Sequence, residues 1–135
     1  MTTTDPASEL VELSIPVRAD LVVLARLTAA TVASRAGFGV DEIEDLRLAV
    51  EELCLSVVDG DEGGRLHLTY ARHDDAVHIT CAFEREEDPR PNGVGGGGDE
   101  LSLRILEALV DEHGRDTRDG QPCAWLHKRR ARVTN

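Results

Sequence analysis

The sequence predicts an α/β (α+β) two-layer sandwich, a mixed, mostly antiparallel sheet with helices on one face. Three observations carry this. Apolar and polar residues alternate strictly in short segments near the start, in the middle and near the end of the chain, as in half-buried strands. Two longer segments after the first strand place apolar residues at helical spacing. The resulting order, β–α–α–β–β–α–β, groups helices apart from strands, which is the pattern of two layers around one core. A chain of 135 residues is one domain's worth, able to bury roughly two-thirds of its unfolded surface. No internal repeat is found at any period.

Residues 1–8 are polar and read as a disordered tail; residues 9–130 form the domain, and 131–135 a second tail. Val11, Leu13 and Ile15 share one strand face, Glu12 and Ser14 the other, and Pro16 closes the strand. A helix is expected over Ala19 to Arg35, with Leu21, Leu24, Thr28 and Val32 as its apolar stripe. Gly37 and Gly39 stop it. Asp41 is placed to cap the next helix, with Glu44 completing a capping box. Behind it Ile43, Leu46, Val50, Leu53 and Val57 give the strongest periodic signal in the chain, a helix over 42–58. Asp59, Gly60, Gly63 and Gly64 end it.

Leu66, Leu68 and Tyr70 then alternate with His67 and Thr69. Val77, Ile79 and Cys81 alternate with His78 and Thr80, and His73, Asp74 and Asp75 supply the turn of a hairpin. From Glu84 to Asp99 the chain is charged and then rich in Pro and Gly, with Gly95, Gly96, Gly97 and Gly98 in a row. A helix resumes at Glu100 with Leu103, Leu106, Leu109 and Val110. A last strand covers Pro122 to Lys128, Ala124 and Leu126 facing one way and Cys123, Trp125 and His127 the other.

Aromatics are scarce, so the core is expected to consist of Leu, Val, Ile and Ala. Fifteen Lys and Arg against 26 Asp and Glu give a net charge of −11, a field that repels nucleic acid and suits a basic protein partner as well as plain solubility. Cys54, Cys81 and Cys123 are odd in number and show no CxxC or Cys/His ligand spacing, which argues against a disulfide framework or a zinc site. Cys54 and Cys81 fall in helix and strand patterns as small core residues. The five His show no ligand spacing, and His67 and His78 read as exposed strand positions. No apolar run approaches the roughly 20 residues of a membrane span, and the polar N-terminus lacks a signal-peptide core. A cytoplasmic protein without membrane or direct nucleic-acid contact is expected.

Arg26-Leu27-Thr28, the run Val32 to Phe38 and the run Asp41 to Cys54 together resemble the bacterial anti-sigma factor kinases, and most closely actinobacterial members with degenerate nucleotide motifs. These are serine/threonine protein kinases built on the histidine-kinase-type (GHKL) ATPase fold. The resemblance extends through most of the chain; in the C-terminal half it rests on element order and on Leu106 to Glu112. In that family a helix carries Glu-x-x-x-Asn, one turn apart on one face. The Asn coordinates magnesium and the Glu acts as base. Here Glu52 takes the Glu position and Ser56 the Asn position, where a hydroxyl is a weaker metal ligand. Alone, Glu52 reads as a solvated helix residue; with the resemblance it lines a vestigial pocket.

The family's Asp-x-Gly-x-Gly, which reads adenine, has no counterpart in Glu84-Arg85-Glu86-Glu87-Asp88-Pro89. Glu100 and Ser102 stand where a helix-entering Gly-x-Gly would hold phosphate. Gly95 to Gly98 are a floppy loop or a shifted phosphate lid.

The resemblance therefore implies an anti-sigma factor of stress-response type. It would sequester an RNA polymerase sigma factor through a surface including Arg26, and be released by a STAS-type anti-anti-sigma protein. Homodimerisation through the first helix and neighbouring sheet is implied too. ATP and magnesium are cofactors only if the eroded site still works. Arg26 read without the family is equally a solvated arginine paired to an acid. Two alternatives stand beside this: an active serine/threonine kinase of an anti-anti-sigma factor, and a non-sigma adaptor derived from a sensor-kinase ATPase domain. The absence of a histidine phosphoacceptor segment upstream argues against a self-contained sensor kinase.

Overall fold

The computed structural model describes residues 8–58, 63–85 and 100–131. Strand β1 (Ser8–Pro16) leads into helices α1 (Val22–Arg35) and α2 (Val40–Val57). Strands β2 (Arg65–His73) and β3 (Ala76–Glu84) follow, then helix α3 (Glu100–Leu109) and strands β4 (Glu112–Arg118) and β5 (Gln121–Arg129). The sheet order is β1-β2-β3-β5-β4, with antiparallel neighbours at each of its pairings. A mixed sheet was the expectation, and β3–α3–β4 does cross over in parallel. But β5 folds back between β3 and β4, so no parallel pair forms among the described strands.

Strand β4 is the element that the alternation pattern misses. Its sequence, EHGRDTR, carries no apolar residue to alternate, because it lies at the sheet edge and is mostly exposed. The turn after it is legible: Asp119 and Gly120 both adopt positive φ, 52° and 76°, in a two-residue hairpin loop. Strand β1 starts at Ser8, one residue inside the expected tail. At the other end the Ala131 N–H donates to Glu42 Oε2 at 2.6 Å, tying the first tail residue to α2.

Helix α1 begins at Val22 and buries a different stripe from the one expected. Ala25, Ala29, Val32 and Ala33 face inward, while Leu24 is 42% exposed. Small side chains win this face because they let the helix backbone approach its neighbours closely. Tyr70, buried on β2, donates its hydroxyl to the Ala25 carbonyl at 2.9 Å. Helix α2 is capped by Gly39 and not by Asp41: Glu42 Oε1 accepts the Gly39 N–H at 3.1 Å, and Glu44 turns instead to Arg47. The chain enters extended at Gly39 (ψ 169°), so the helix starts two residues earlier than the acid pattern suggests.

Of the predicted stripe, Leu46, Val50, Leu53 and Val57 are fully buried and Ile43 partly so, with Ala49 and Cys54 between; they share one core with Leu66, Leu68, Ile79, Cys81, Phe83 and Leu126 of the sheet, where α2 lies over β3 and β5. Each buried Leu or Val contributes roughly 1.5–3 kcal/mol. On α3, Leu106 faces this core, with Leu109 beside it.

The free end of α1 is held by charge. Both carboxylate oxygens of Glu9 accept from Arg35 at 2.6–2.8 Å, and Oε1 also accepts from Arg72 at 3.1 Å. The Arg35 hydrogen bonds hold the Glu9 carboxyl below the usual carboxylate range.

Two expectations follow. Tyr70→Phe removes one buried hydrogen bond and should lower stability by about 1 kcal/mol in urea unfolding. Glu9 has a folded-state pKa lower than its unfolded one, so its contribution is complete above the unfolded value and is lost as pH falls through the folded value. The urea midpoint of the wild type should therefore drop more steeply below pH 5 than that of Glu9→Gln.

Candidate functional site

Glu51 and Glu52 are adjacent on α2 and therefore point to different sides of the helix. Glu51 turns toward α1, where its Oε2 lies 3.9 Å from Arg26 Nη1. Glu52 turns toward α3, where its Oε2 accepts a hydrogen bond from the Ser102 hydroxyl at 2.8 Å. Ser102, which occupies a predicted glycine position, is thus brought directly onto the predicted base position. Glu100, two residues earlier, pairs with Arg104 on the exposed side of α3 at 3.1 Å.

Ser56 follows Glu52 by one turn and is fully buried. Its hydroxyl donates to the Leu53 carbonyl at 2.7 Å, within its own helix. The Ser56 carbonyl accepts from Arg115 Nη2 at 3.3 Å, and the Leu109 carbonyl accepts from Lys128 Nζ at 2.7 Å. Cations from β4 and β5 thus cap the C-terminal ends of α2 and α3, where the helix dipole favours positive charge. Sequence reasoning missed Arg115 because it missed β4.

These residues do not fit a magnesium–nucleotide in this arrangement. The Ser56 oxygen is shut from solvent and its proton is committed to the backbone. The Glu52 carboxylate already holds a hydroxyl from α3. Among the described residues, no three His, Cys, Asp or Glu side chains converge to hold a metal. Gly95 to Gly98 and Glu86 to Pro89 lie outside the described residues. Glu84 pairs with His67 across the strands at 2.6 Å.

Arg26 sits at the seam of α1 and α2, with 32% of its side chain exposed. Its Nε is buried and has no hydrogen-bond partner among the described residues, a costly state for a charged group. Beside it on α1, Val23, Leu24 and Leu27 are exposed, Leu27 by 50%. The side chain is thus a cation with one weak internal partner, set in an apolar surface.

The remaining candidates are structural. Cys54, Cys81 and Cys123 are all buried free thiols. Cys54 Sγ lies 4.0 Å from Cys81 Sγ, and this contact together with burial pushes the Cys81 thiol up, so it is no nucleophile. His67 and His78 lie on the outer face of the sheet, as expected, and are partly covered by neighbours: His67 pairs with Glu84, and His78 stacks on Trp125 at 5.7 Å. Burial, aided by His127, lowers the His78 pKa.

No described helix is long and apolar enough to cross a membrane. The family model of the histidine kinase-like ATPase domain matches residues 15–128. Among individual proteins, the chain is 30% identical to serine-protein kinase RsbW of Bacillus subtilis over 122 residues, covering 78% of this chain and 76% of that one. It is 34% identical to the Bacillus mycoides protein of that name over 102 residues, 76% of this chain and 58% of the other. With the Halalkalibacterium halodurans protein of that name the identity is 38% over 73 residues, 53% of this chain. That last match spans 45% of the relative's length. The match extends from the buried end of β1 to Lys128, through the helix that carries Glu52 and Ser56, and on that extent the chain belongs to the histidine kinase-like ATPase domain family.

Proposed function

We propose that this protein is an anti-sigma factor that works by binding and not by phosphoryl transfer. It sequesters an RNA polymerase sigma factor and is released by a STAS-type anti-anti-sigma partner; its ATP binding and kinase activity are weak or lost. The observation that carries the reading is the Glu52–Ser102 hydrogen bond, together with the inward turn of Ser56. The two positions that should manage magnesium and a proton serve the packing of α2 instead. Phosphoryl transfer is mostly positioning and charge neutralisation, and with both groups engaged internally neither task has a residue.

Binding needs only a surface, and α1 supplies one. Arg26 with Val23, Leu24 and Leu27 has the composition of an interface anchor, an arginine in an apolar surround. Its Nε lacks an acceptor within the described residues, and a partner carboxylate or carbonyl would supply one. The net charge of −11 would steer a basic sigma factor toward it. Homodimerisation through α1 and the neighbouring sheet and a cytoplasmic location accompany this reading.

A second reading, an active serine kinase of the anti-anti-sigma partner, is favoured by one finding: the relatives carry the name serine-protein kinase. Incubation of the purified chain with radiolabelled ATP–magnesium and a STAS partner separates the two. Label on a serine of the partner would establish the kinase.

Two outcomes are expected. Arg26→Glu should abolish sigma capture in a pull-down while the thermal midpoint moves by a few degrees at most, since Arg26 has only a weak internal partner; undiminished capture would remove the α1 surface from the account. Titration calorimetry of the wild type with ATP–magnesium should give no binding at micromolar affinity, and a micromolar Kd would refute the loss of the nucleotide site.

A further inference from the structure

Leu48 and Leu55 lie on the outer side of α2, 50% and 55% exposed. They flank Glu52 at four residues before and three after, so the three side chains form one stripe. Leu101, 64% exposed, directly precedes Ser102, whose hydroxyl is bonded to Glu52, so the start of α3 lies beside this stripe. The core does not require these leucines, because α2 seats on the sheet through Leu46, Val50, Leu53 and Val57. Single exposed leucines are ordinary surface; two on one helical stripe, set among acids, mark a contact face.

The surround of that face has one sign. Along α2 stand Asp41, Glu42, Glu44, Asp45, Glu51 and Glu52, against Arg47 alone, and Arg47 is tied to Glu44 at 3.0 Å. On α3, Glu107 is exposed, and Arg104 is tied to Glu100.

We propose that the Leu48–Leu55 face of α2 docks a basic amphipathic helix of a protein partner. Apolar residues one and two turns apart on that helix would meet the leucines, and flanking Lys and Arg would meet the acids. Charge argues against the other occupants. Nucleic acid and anionic membrane are repelled by the acids, and an acidic helix is repelled in the same way. The face is distinct from the α1 surface around Arg26 and does not depend on what binds there.

The test is fluorescence polarisation of a labelled synthetic amphipathic helix, leucine-striped with lysine flanks, titrated with the full chain. A matched peptide with glutamate flanks is the control. The lysine peptide should bind and the glutamate peptide should not. Leu48→Asp/Leu55→Asp should weaken binding by at least about tenfold, and Leu48→Ala/Leu55→Ala should weaken it without adding charge. The Asp pair also separates docking from plain attraction: it takes the net charge from −11 to −13, so binding by charge alone would tighten. Unchanged or tighter binding in the Asp variant, or no binding of the lysine peptide, overturns the proposal. So does a sedimentation result in which the wild type dimerises and Leu48→Ala/Leu55→Ala does not, since a second copy of the chain would then cover the face.

Discussion

Helix α2 is fixed by the burial of Leu46, Val50, Leu53 and Val57 against β3 and β5, and the other features of the molecule are arranged around that contact. Once this stripe is seated, the helix cannot rotate, and the directions of its remaining side chains follow. Glu51 must reach toward α1 and Glu52 toward α3. Ser56 is carried into the interior, where its hydroxyl donates to the carbonyl three residues back. Leu48 and Leu55 are left to solvent. One packing constraint therefore sets the state of the candidate nucleotide positions and the makeup of the outer surface.

The sequence revealed most where a residue's fate is decided by local pattern. The α2 stripe repeats at helical spacing over four turns, and the β2–β3 hairpin alternates cleanly, so both were legible. The α1 stripe was not, because periodicity favours large apolar residues and this helix buries alanines to come close. Strand β4 was not, because an exposed edge strand has no hydrophobic alternation to find; only Asp119-Gly120 announced it. At the site, the positions of Glu52, Ser56 and Ser102 could be counted out from a resemblance, but not their engagement. That Ser102 would satisfy Glu52, and that Arg115 would cap α2, depends on how α3 and β4 pack, which spacing along the chain does not encode.

Glu52, Ser56 and Ser102 are members of the packing. A carboxylate that would otherwise need water or a metal is satisfied by a hydroxyl from the neighbouring helix, and the C-terminal carbonyls of α2 and α3 are met by Arg115 and Lys128. Such internal satisfaction removes a reason for the helices to move. The exposed leucines and the partly unsatisfied Arg26 mark where free energy remains to be gained by contact with another molecule.

On the proposed function, α2 and α3 are latched together without nucleotide through Glu52 and Ser102. Hydrogen exchange of the full chain followed by mass spectrometry, with and without millimolar ATP–magnesium, tests this most directly. The amides of α2 and α3 should be equally protected in both conditions, because no nucleotide contact adds to the Glu52–Ser102 link. Selective slowing of exchange at the C-terminal half of α2 and the first turns of α3 when ATP–magnesium is added would contradict it.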